Sequence, residues 1–262
     1  MDWIHHIKPL FALSGFAVGV LVGFTGVGGG SLMTPLLVLV FGIHPATAVG
    51  TDLLYAAATK SVGTVVHGFG RTVDWGIVLR LAAGSVPATA ITLLLMSRMG
   101  GTLGSAHGPI TTVLGVALIM TAIAILFRRI ITEFFARRVG EMAPRTTTIF
   151  TVILGAVLGI LVSLSSVGAG AIGVTVLLIL YPRLPAGKLV GSDIAHAVPL
   201  TLLAGIGHWM MGSVDWALLI SLLCGSIPGI IIGSLLSSRA PDRVLRPILA
   251  STLALVGGKL FF

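Results

Sequence analysis

Long apolar runs constrain the fold of this chain more than any other feature of its sequence. Four of them cover residues 81–96, 110–127, 149–162 and 218–236. An α-helix rises about 1.5 Å per residue, so a run of about 20 residues matches a hydrocarbon core of about 30 Å. Only 9% of the 262 residues are charged and 56% are hydrophobic, which is too little charge for the surface of a soluble domain. The sequence therefore predicts an all-α, polytopic membrane protein.

The net charge of +8 raises the question of a nucleic-acid partner. The basic residues, however, stand in short segments between the apolar runs, which is typical of cytoplasmic loops in membrane proteins. We therefore expect the lipid bilayer as a partner and no nucleic acid, and the pattern leaves a homo-oligomer open. No cofactor, metal site or catalytic residue is predicted.

An internal repeat is the second constraint on the fold. A shift of 141 positions superposes residues 50–98 on 191–239, with 16 identities in 49 positions. A shift of 140 places the Gly-rich segment 27–30 on 167–170. The identities include His, Asp-Trp and Gly-Ser-x-Pro, which two unrelated apolar stretches would not share in one register. We predict a first transmembrane repeat at 1–130, a basic cytoplasmic linker at 131–147 and a second repeat at 148–262.

Each repeat has one broken apolar segment followed by three longer ones. The predicted segments are 10–24 with 31–41, then 47–67, 75–96 and 109–127, against 149–162 with 171–180, then 189–209, 216–236 and 244–261. Asp74 and Asp215, each followed by Trp, are predicted helix N-caps. The broken segments are either re-entrant hairpins or two short crossings. The distribution of Lys and Arg favours broken segments that return to their starting side, so we expect inverted-topology repeats in the inner (plasma) membrane.

The two breaks are candidate anion sites. Glycine lets the backbone turn and brings its amides close to a ligand, and a helix that restarts after the turn aims free N–H groups at it. The alternative is that these small residues only allow tight helix packing. The equivalent positions of the two breaks favour a substrate site. The predicted substrate-binding residues of the breaks are Thr25, Gly26, Gly28, Gly29, Gly30, Ser31, Ser165, Ser166, Gly168 and Gly170.

Ionisable residues inside the predicted spans are a further signal. Asp52, Lys60 and His67 share one helix face, which corresponds to the face of Asp193 and His208. A charged group within a span is costly, so we predict that Lys60 balances the charge of a bound anion; the alternative is that it extends to the interface. The other ionisable residues could carry protons, unless the aspartates cap helices or make structural hydrogen bonds and the histidines at span ends are interfacial. The proton-coupling candidates are Asp52, His67, Asp193, His196 and His208.

Several motifs resemble the sulfite exporter TauE/SafE family of membrane permeases. They are GFTGVGGG at 23–30 followed by Pro35, PATAVGT at 45–51, and Gly68 with the Asp74-Trp75 pair. The resemblance implies transport of a small sulfur-containing anion, such as sulfite or an organosulfonate, coupled to protons; it leaves the direction open. In the second repeat Ser166 and Ala169 replace two of the glycines, so the first break matches the family pattern better.

A secondary transporter working by alternating access is the predicted function, and two other classes are compatible with some residues. A passive anion channel would share the architecture. An intramembrane hydrolase would need Asp52 and Asp193 close enough to share a proton. A Ser–His hydrolase would need Ser165 or Ser166 beside His196 or His208.

Overall fold

The structure, a computed structural model, describes residues 8–25, 30–68, 73–99, 109–139, 143–236 and residue 251. All regular secondary structure in these residues is α-helical, as predicted. The helices are α1 Pro9–Thr25, α2 Gly30–Leu39, α3 Pro45–Gly68, α4 Trp75–Met99, α5 Pro109–Val139, α6 Pro144–Ser165, α7 Ala171–Leu180, α8 Ala186–Met210 and α9 Trp216–Leu236. The predicted last segment, 244–261, lies outside the described residues.

Eight of the predicted segments match α1–α4 and α6–α9 to within five residues at either end, while α5 differs more. It continues twelve residues past position 127, to Val139, and α6 begins at Pro144, so most of the predicted linker is helical. Charges end an apolar run without ending a helix, and no Gly or Pro occurs in this stretch before residue 140. An ion pair of 2.7 Å between Arg129 and Glu133, one turn apart, further supports the extension.

Five of the described helices, α4, α5, α6, α8 and α9, are long and apolar enough to cross a membrane. Their outer faces carry exposed apolar side chains, such as Leu79 and Ile91 on α4 and Ile149 and Ile153 on α6. Large exposed apolar faces are unfavourable in water and suit contact with lipid. The chain is a multi-pass helical membrane protein.

Both broken segments fold back toward their starting side. The rings of Phe11, early in α1, and Phe41, just beyond α2, are 4.8 Å apart. At the positions 140 residues later, the hydroxyls of Thr151 in α6 and Tyr181 beyond α7 lie 2.8 Å apart. Each broken segment, α1 with α2 and α6 with α7, therefore starts and ends near the same end of the molecule, as the distribution of basic residues predicts.

The equivalent helices α3 and α8 cross in antiparallel directions. A Cβ on Gly50 would meet Ser213 and His208, and a Cβ on Gly205 would meet Leu54. Two equivalent hydrogen bonds stand at the opposite ends of this pair. The Asp215 amide donates to the Thr51 hydroxyl at 3.1 Å, and the Asp74 amide donates to the Ser192 hydroxyl at 2.8 Å. The contacts between the repeats thus follow the internal sequence symmetry.

Glycines allow close packing between helices of different repeats. In the α4–α6 contact, a Cβ on Gly84 would collide with the carbonyl oxygen of Val152, and one on Gly155 with that of Leu81. The equivalent glycines of α1 and α9, Gly15 and Gly225, face carbonyl oxygens in the same way. Small residues let membrane helices approach at backbone distance. At these positions glycine therefore serves helix packing.

Both predicted N-caps are confirmed. The Asp74 carboxylate accepts the backbone amides of Gly76 and Ile77 at 3.1 and 3.3 Å, and Asp215 accepts that of Leu218 at 3.0 Å. Asp74 also pairs with Lys188 at 3.2 Å. Partial burial raises the pKa of the Asp74 carboxyl, but hydrogen bonds from Lys188, Ile77 and Gly76 and the Lys188 charge outweigh it and hold the pKa below its usual range. The pair joins the start of α4 to the start of α8.

Candidate functional site

The second break is a buried turn between α6 and α7. Residues 166–170 are all buried, although Ser166, Gly168 and Gly170 have positive φ angles of 57°, 119° and 114°. Glycine is suited to the last two positions because it has no Cβ to clash there. The Ser165 hydroxyl accepts the Val167 amide at 3.2 Å and donates to a carbonyl in α6 at 2.6 Å. Non-helical backbone therefore lies within protein, as the hydrocarbon environment requires.

Asp52 lies against this turn and is completely buried. One of its carboxylate oxygens accepts a hydrogen bond of 2.5 Å from the Thr34 hydroxyl of α2. The other oxygen has no hydrogen-bond partner. The buried hydroxyl of Ser166 lies near this carboxyl but has no hydrogen-bond partner either. Since α3 begins at Pro45, Asp52 is two turns inside the helix, so the alternative that it caps the helix is wrong. The alternative of a structural hydrogen bond is correct, because Thr34 donates to Asp52.

Asp193, the equivalent residue of α8, has a different environment. It is 1% exposed, and neither carboxylate oxygen has a hydrogen-bond partner. It packs so closely on α7 that a Cβ at Gly173 would collide with it. Since Asp193 is seven residues into α8, it too cannot be a cap. The backbone of Gly170, the last residue of the turn, also interacts with this carboxyl.

Lys60 is the cation of this site. Its side chain is only 5% exposed, so the alternative in which it extends to the interface is wrong. Its charge acts on both Asp52 and Asp193, and Asp193 also interacts with Arg128 of α5. The structure thus brings together one lysine and two carboxyls from both repeats, beside the turn of the second repeat.

Of the predicted proton-coupling histidines, His196 and His208 have described side chains, and both are hydrogen-bonded within the protein. His196 Nε2 lies 2.8 Å from the Ser85 hydroxyl of α4. His208 is completely buried, and its Nε2 lies 2.9 Å from the carbonyl oxygen of Ser163, so this nitrogen carries the proton. The interfacial alternative is therefore wrong for His208. The Nδ1 atoms of both rings have no hydrogen-bond partner.

Several predicted site residues fall in parts of the chain with little or no description. Gly26, Gly28 and Gly29 lie outside the described residues, and so does any contact between the two breaks. Only helix positions are described for four more residues: Thr25 at the end of α1, Gly30 and Ser31 at the start of α2, and His67 in the last turn of α3.

Sequence reasoning missed three polar residues of this region. They are Thr34, which donates to Asp52, Ser85, which pairs with His196, and Tyr55, which lies near Ser226 without a hydrogen bond to it. Tyr55 and Ser226 are the repeat equivalents of His196 and Ser85, so the internal alignment contained a signal for this second pair. Thr34 has no such signal, because its equivalent residue is Val174.

The hydrolase alternatives find no support in the described side chains. Asp52 and Asp193 share no hydrogen bond; Asp52 is bonded to Thr34, and both Asp193 oxygens lack partners. The Ser165 hydroxyl is hydrogen-bonded to backbone atoms, and the Ser166 hydroxyl has no hydrogen bond to a histidine. Neither Ser165 nor Ser166 is therefore paired with a histidine base as acyl transfer requires. The described Ser–His pair, Ser85 with His196, is not one of the predicted pairs.

Several of the buried polar atoms without a hydrogen-bond partner belong to residues at or near the turn. One Asp52 oxygen, both Asp193 oxygens, the Ser166 hydroxyl and His196 Nδ1 are buried without partners. Leaving such a group unsatisfied costs about 1–3 kcal/mol, and more when it is charged. A cluster of this kind is suited to taking up polar ligands, protons or water.

The family of the chain follows from its match to known proteins. The profile of the family described as Sulfite exporter TauE/SafE matches residues 11–260. The chain belongs to this family. It is 39% identical over 249 residues, 95% of this chain and 97% of the relative, to the "Probable membrane transporter protein YjnA" of Bacillus subtilis. It is 29% identical over 262 residues to "Probable membrane transporter protein YdhB" of the same organism.

More distant relatives also match this chain. A "Probable membrane transporter protein" of Xylella fastidiosa is 26% identical over 235 residues, 86% of this chain and 83% of that protein. No solved structure matches the chain. The TauE/SafE match and the five apolar helices together show a multi-pass membrane protein of a transporter family.

Proposed function

We propose that this protein is a secondary active transporter that moves a small sulfur-containing anion, such as sulfite or an organosulfonate, across the inner membrane together with protons. One observation carries the proposal: buried Lys60 interacts with Asp52 and Asp193 of the two repeats, beside a buried backbone turn. Its family membership supports the substrate class. Charged groups within a membrane protein typically mark an ion or substrate pathway.

The anion would bind at the second break. The α7 helix restarts at Ala171, so its free amide groups and the positive end of its dipole point toward the turn of Ser166, Gly168 and Gly170. Protonated Lys60 would supply a positive charge, and Ser165 belongs to the same turn. The first break would complete the site with Thr25, Gly26, Gly28, Gly29, Gly30 and Ser31.

Proton coupling follows from the charges of the cluster. The Lys60 ammonium, the Arg128 guanidinium and two carboxylates sum to a net charge of zero. A proton on one carboxyl makes the cluster positive, so anion and proton favour each other's binding. Asp193 is the primary proton carrier in this mechanism because neither of its oxygens has a hydrogen-bond partner. Asp52, His196, His208 and His67 are the secondary candidates.

Alternating access would arise from the relation between the repeats. Inverted repeats place a site near the midplane, and rocking of one repeat against the other opens it to each side in turn. The antiparallel crossing of α3 and α8 supports this mechanism, as does the return of each broken segment to its starting end. The lysine and its two carboxyls come from both repeats, so a relative movement would change their contacts.

The test is flux of sulfite and organosulfonates into liposomes containing the purified protein, with and without an imposed pH gradient. We expect uptake to follow the gradient, to fail in Lys60→Ala, and to persist in the control Lys8→Ala, which removes an exposed ammonium at the start of α1. Flux that ignores the gradient would indicate a channel or uniporter. Absence of flux for every sulfur oxyanion would overturn the substrate class.

A further inference from the structure

A cavity with basic residues in its wall lies away from this site, at the end of the molecule where α6 begins and α7 ends. It has a volume of about 350 Å³, which is in the range of small-ligand sites. Two arginines of different elements line it, Arg80 of α4 and Arg183 of the α7–α8 connection, together with Thr147 and Tyr181. The transport mechanism uses none of these residues.

A chain of hydrogen bonds holds Arg80 at the wall of this cavity. The Thr151 hydroxyl donates its proton to the carbonyl oxygen of Thr147 at 2.7 Å. It must therefore accept from the Tyr181 hydroxyl, 2.8 Å away. The Tyr181 oxygen is then available to accept from the Arg80 guanidinium at 3.2 Å. Arg80 is thus oriented by the protein and does not merely extend into the headgroup region.

The internal repeat shows that this cavity is specific to one end of the molecule. The residues equivalent to Arg80, Tyr181 and Arg183 are Ser221, Phe41 and Ile43. At that opposite end Phe41 packs on the ring of Phe11, and the Ser221 hydroxyl accepts the Lys8 backbone amide at 3.3 Å. Duplication alone would make the two ends of the molecule alike. The arginine pair, however, occurs at one end, and the equivalent positions at the opposite end have no arginine.

The surroundings of the cavity are those of a lipid-facing surface. The helices that provide Arg80 and Thr147 also expose apolar side chains nearby, with Trp75 64%, Leu79 68% and Ile149 51% exposed. Trp at a helix start is typical of the headgroup level. A ligand here would therefore have both a charged group for the arginines and an apolar part for the outer faces of α4 and α6.

We infer that this cavity binds a phosphate-type oxyanion, the headgroup phosphate of an anionic phospholipid. Guanidinium groups match phosphate in geometry and charge, and basic pockets between transmembrane helices on the cytoplasmic side suit anionic headgroups. The positive-inside distribution of basic residues places this end in the cytoplasm. The acyl chains lie along α4 and α6. A free oxyanion at a cytoplasmic entrance would use the same arginines, and the experiment separates the two sources.

The experiment is native mass spectrometry of the full chain in detergent, titrated with phosphatidylglycerol or with zwitterionic phosphatidylcholine. The variants are Arg80→Gln, Arg183→Gln and both together; the control Arg98→Gln removes an exposed arginine from the opposite end of α4. We expect selective retention of phosphatidylglycerol, weakened roughly fivefold by each substitution in the cavity and unaffected by Arg98→Gln. Arg183 lies in an exposed connection, so Arg183→Gln is expected to leave the fold intact. Its effect on lipid retention can therefore be interpreted even if Arg80→Gln destabilises the protein.

Competition with inorganic phosphate and with sulfite distinguishes the sources. A lipid site keeps phosphatidylglycerol at millimolar concentrations of either anion. Displacement of the lipid by either free anion, with the same arginine dependence, would replace the lipid assignment by a soluble-anion entrance. Equal retention of both lipids, or retention unchanged in the double variant, would overturn the inference. None of these outcomes depends on transport activity.

Discussion

Thr34 donates a 2.5 Å hydrogen bond to a carboxylate oxygen of Asp52, and the repeat-equivalent pair, Val174 and Asp193, cannot form one. Two carboxyls that occupy equivalent positions of a duplicated chain therefore differ in chemistry. Asp52 is tied to α2, while neither oxygen of Asp193 has a hydrogen-bond partner. From this difference we propose different tasks, in which Asp52 organises the site and Asp193 exchanges the proton.

Substitution of Thr34 tests the organising role. Thr34→Val leaves the Asp52 carboxyl without a hydrogen-bond partner from α2, which costs about 1–3 kcal/mol. We expect a lower thermal unfolding temperature in detergent and reduced flux in liposomes. Thr34→Ser restores the hydroxyl and should recover both. Unchanged stability in Thr34→Val would show that the bond contributes nothing.

Substitution of Asp193 tests the coupling role. Asp193→Asn keeps the shape of the side chain but removes its exchangeable proton. We therefore expect the variant to exchange labelled substrate across the membrane and to lose accumulation driven by a pH gradient. Asp52→Asn is the comparison, and accumulation there should remain proton-driven even if slower. Full gradient-driven accumulation by Asp193→Asn would contradict the assignment.

The glycines between α4 and α6 are expected to be intolerant of any side chain. A methyl group at Gly155 would be driven into the carbonyl oxygen of Leu81, so Gly155→Ala forces backbone movement. We expect destabilisation by about 1–3 kcal/mol, measured as a lower unfolding temperature. Gly187→Ala is the matched control, because a Cβ there has nothing within 4 Å. Equal unfolding temperatures for the two variants would refute this packing.

The Asp74–Lys188 pair predicts a pH dependence outside the membrane. The pKa of Asp74 is held below its usual range by its hydrogen bonds and the Lys188 charge, which outweigh partial burial. The ionised form is therefore the stabilised one. Its contribution is complete above the unfolded pKa of about 4 and is lost as the pH falls through the lower folded value.

Two variants separate the charge of Asp74 from its cap. Asp74→Asn keeps a capping side chain and loses the ion pair, which at this partly exposed site is worth about 0–1 kcal/mol. Asp74→Ala also loses the cap, for about 1 kcal/mol more. We expect the difference in unfolding temperature between wild type and Asp74→Asn to disappear in acid. A difference that persists unchanged below the folded pKa would argue against the ion pair.

Local sequence patterns were sufficient for the elements of this fold. Apolar runs of membrane length located eight of the described helices, and the Gly-rich stretch at 163–170 located the turn between α6 and α7. Periodicity also placed Asp52 and Lys60 on one helix face, which the structure buries. The end of α5 was missed because the charged residues after position 127 were taken as the end of the helix. Charged residues are in fact good helix formers.

The domain division and the roles of the site residues stay predictions, including those in the first break. The residues of the first break match the family motif in sequence. The contacts that the structure describes at a break, however, belong to the second repeat. The family match spans nearly the whole chain, so it supports the fold and the transporter class without assigning a role to any one residue.

The sequence by itself determined the helices, the duplication and the presence of ionisable groups within the membrane. Only the tertiary structure decided which of these meet: α3 against α8, the α4 glycines against α6, and Lys60 with carboxyls of both repeats. It also decided that Thr34 donates a hydrogen bond to Asp52 while neither oxygen of Asp193 has a hydrogen-bond partner. The physical reason is that helix periodicity and hydropathy depend on neighbouring residues, whereas these contacts join residues up to 158 positions apart, the separation of Gly50 and His208, and depend on how the helices pack.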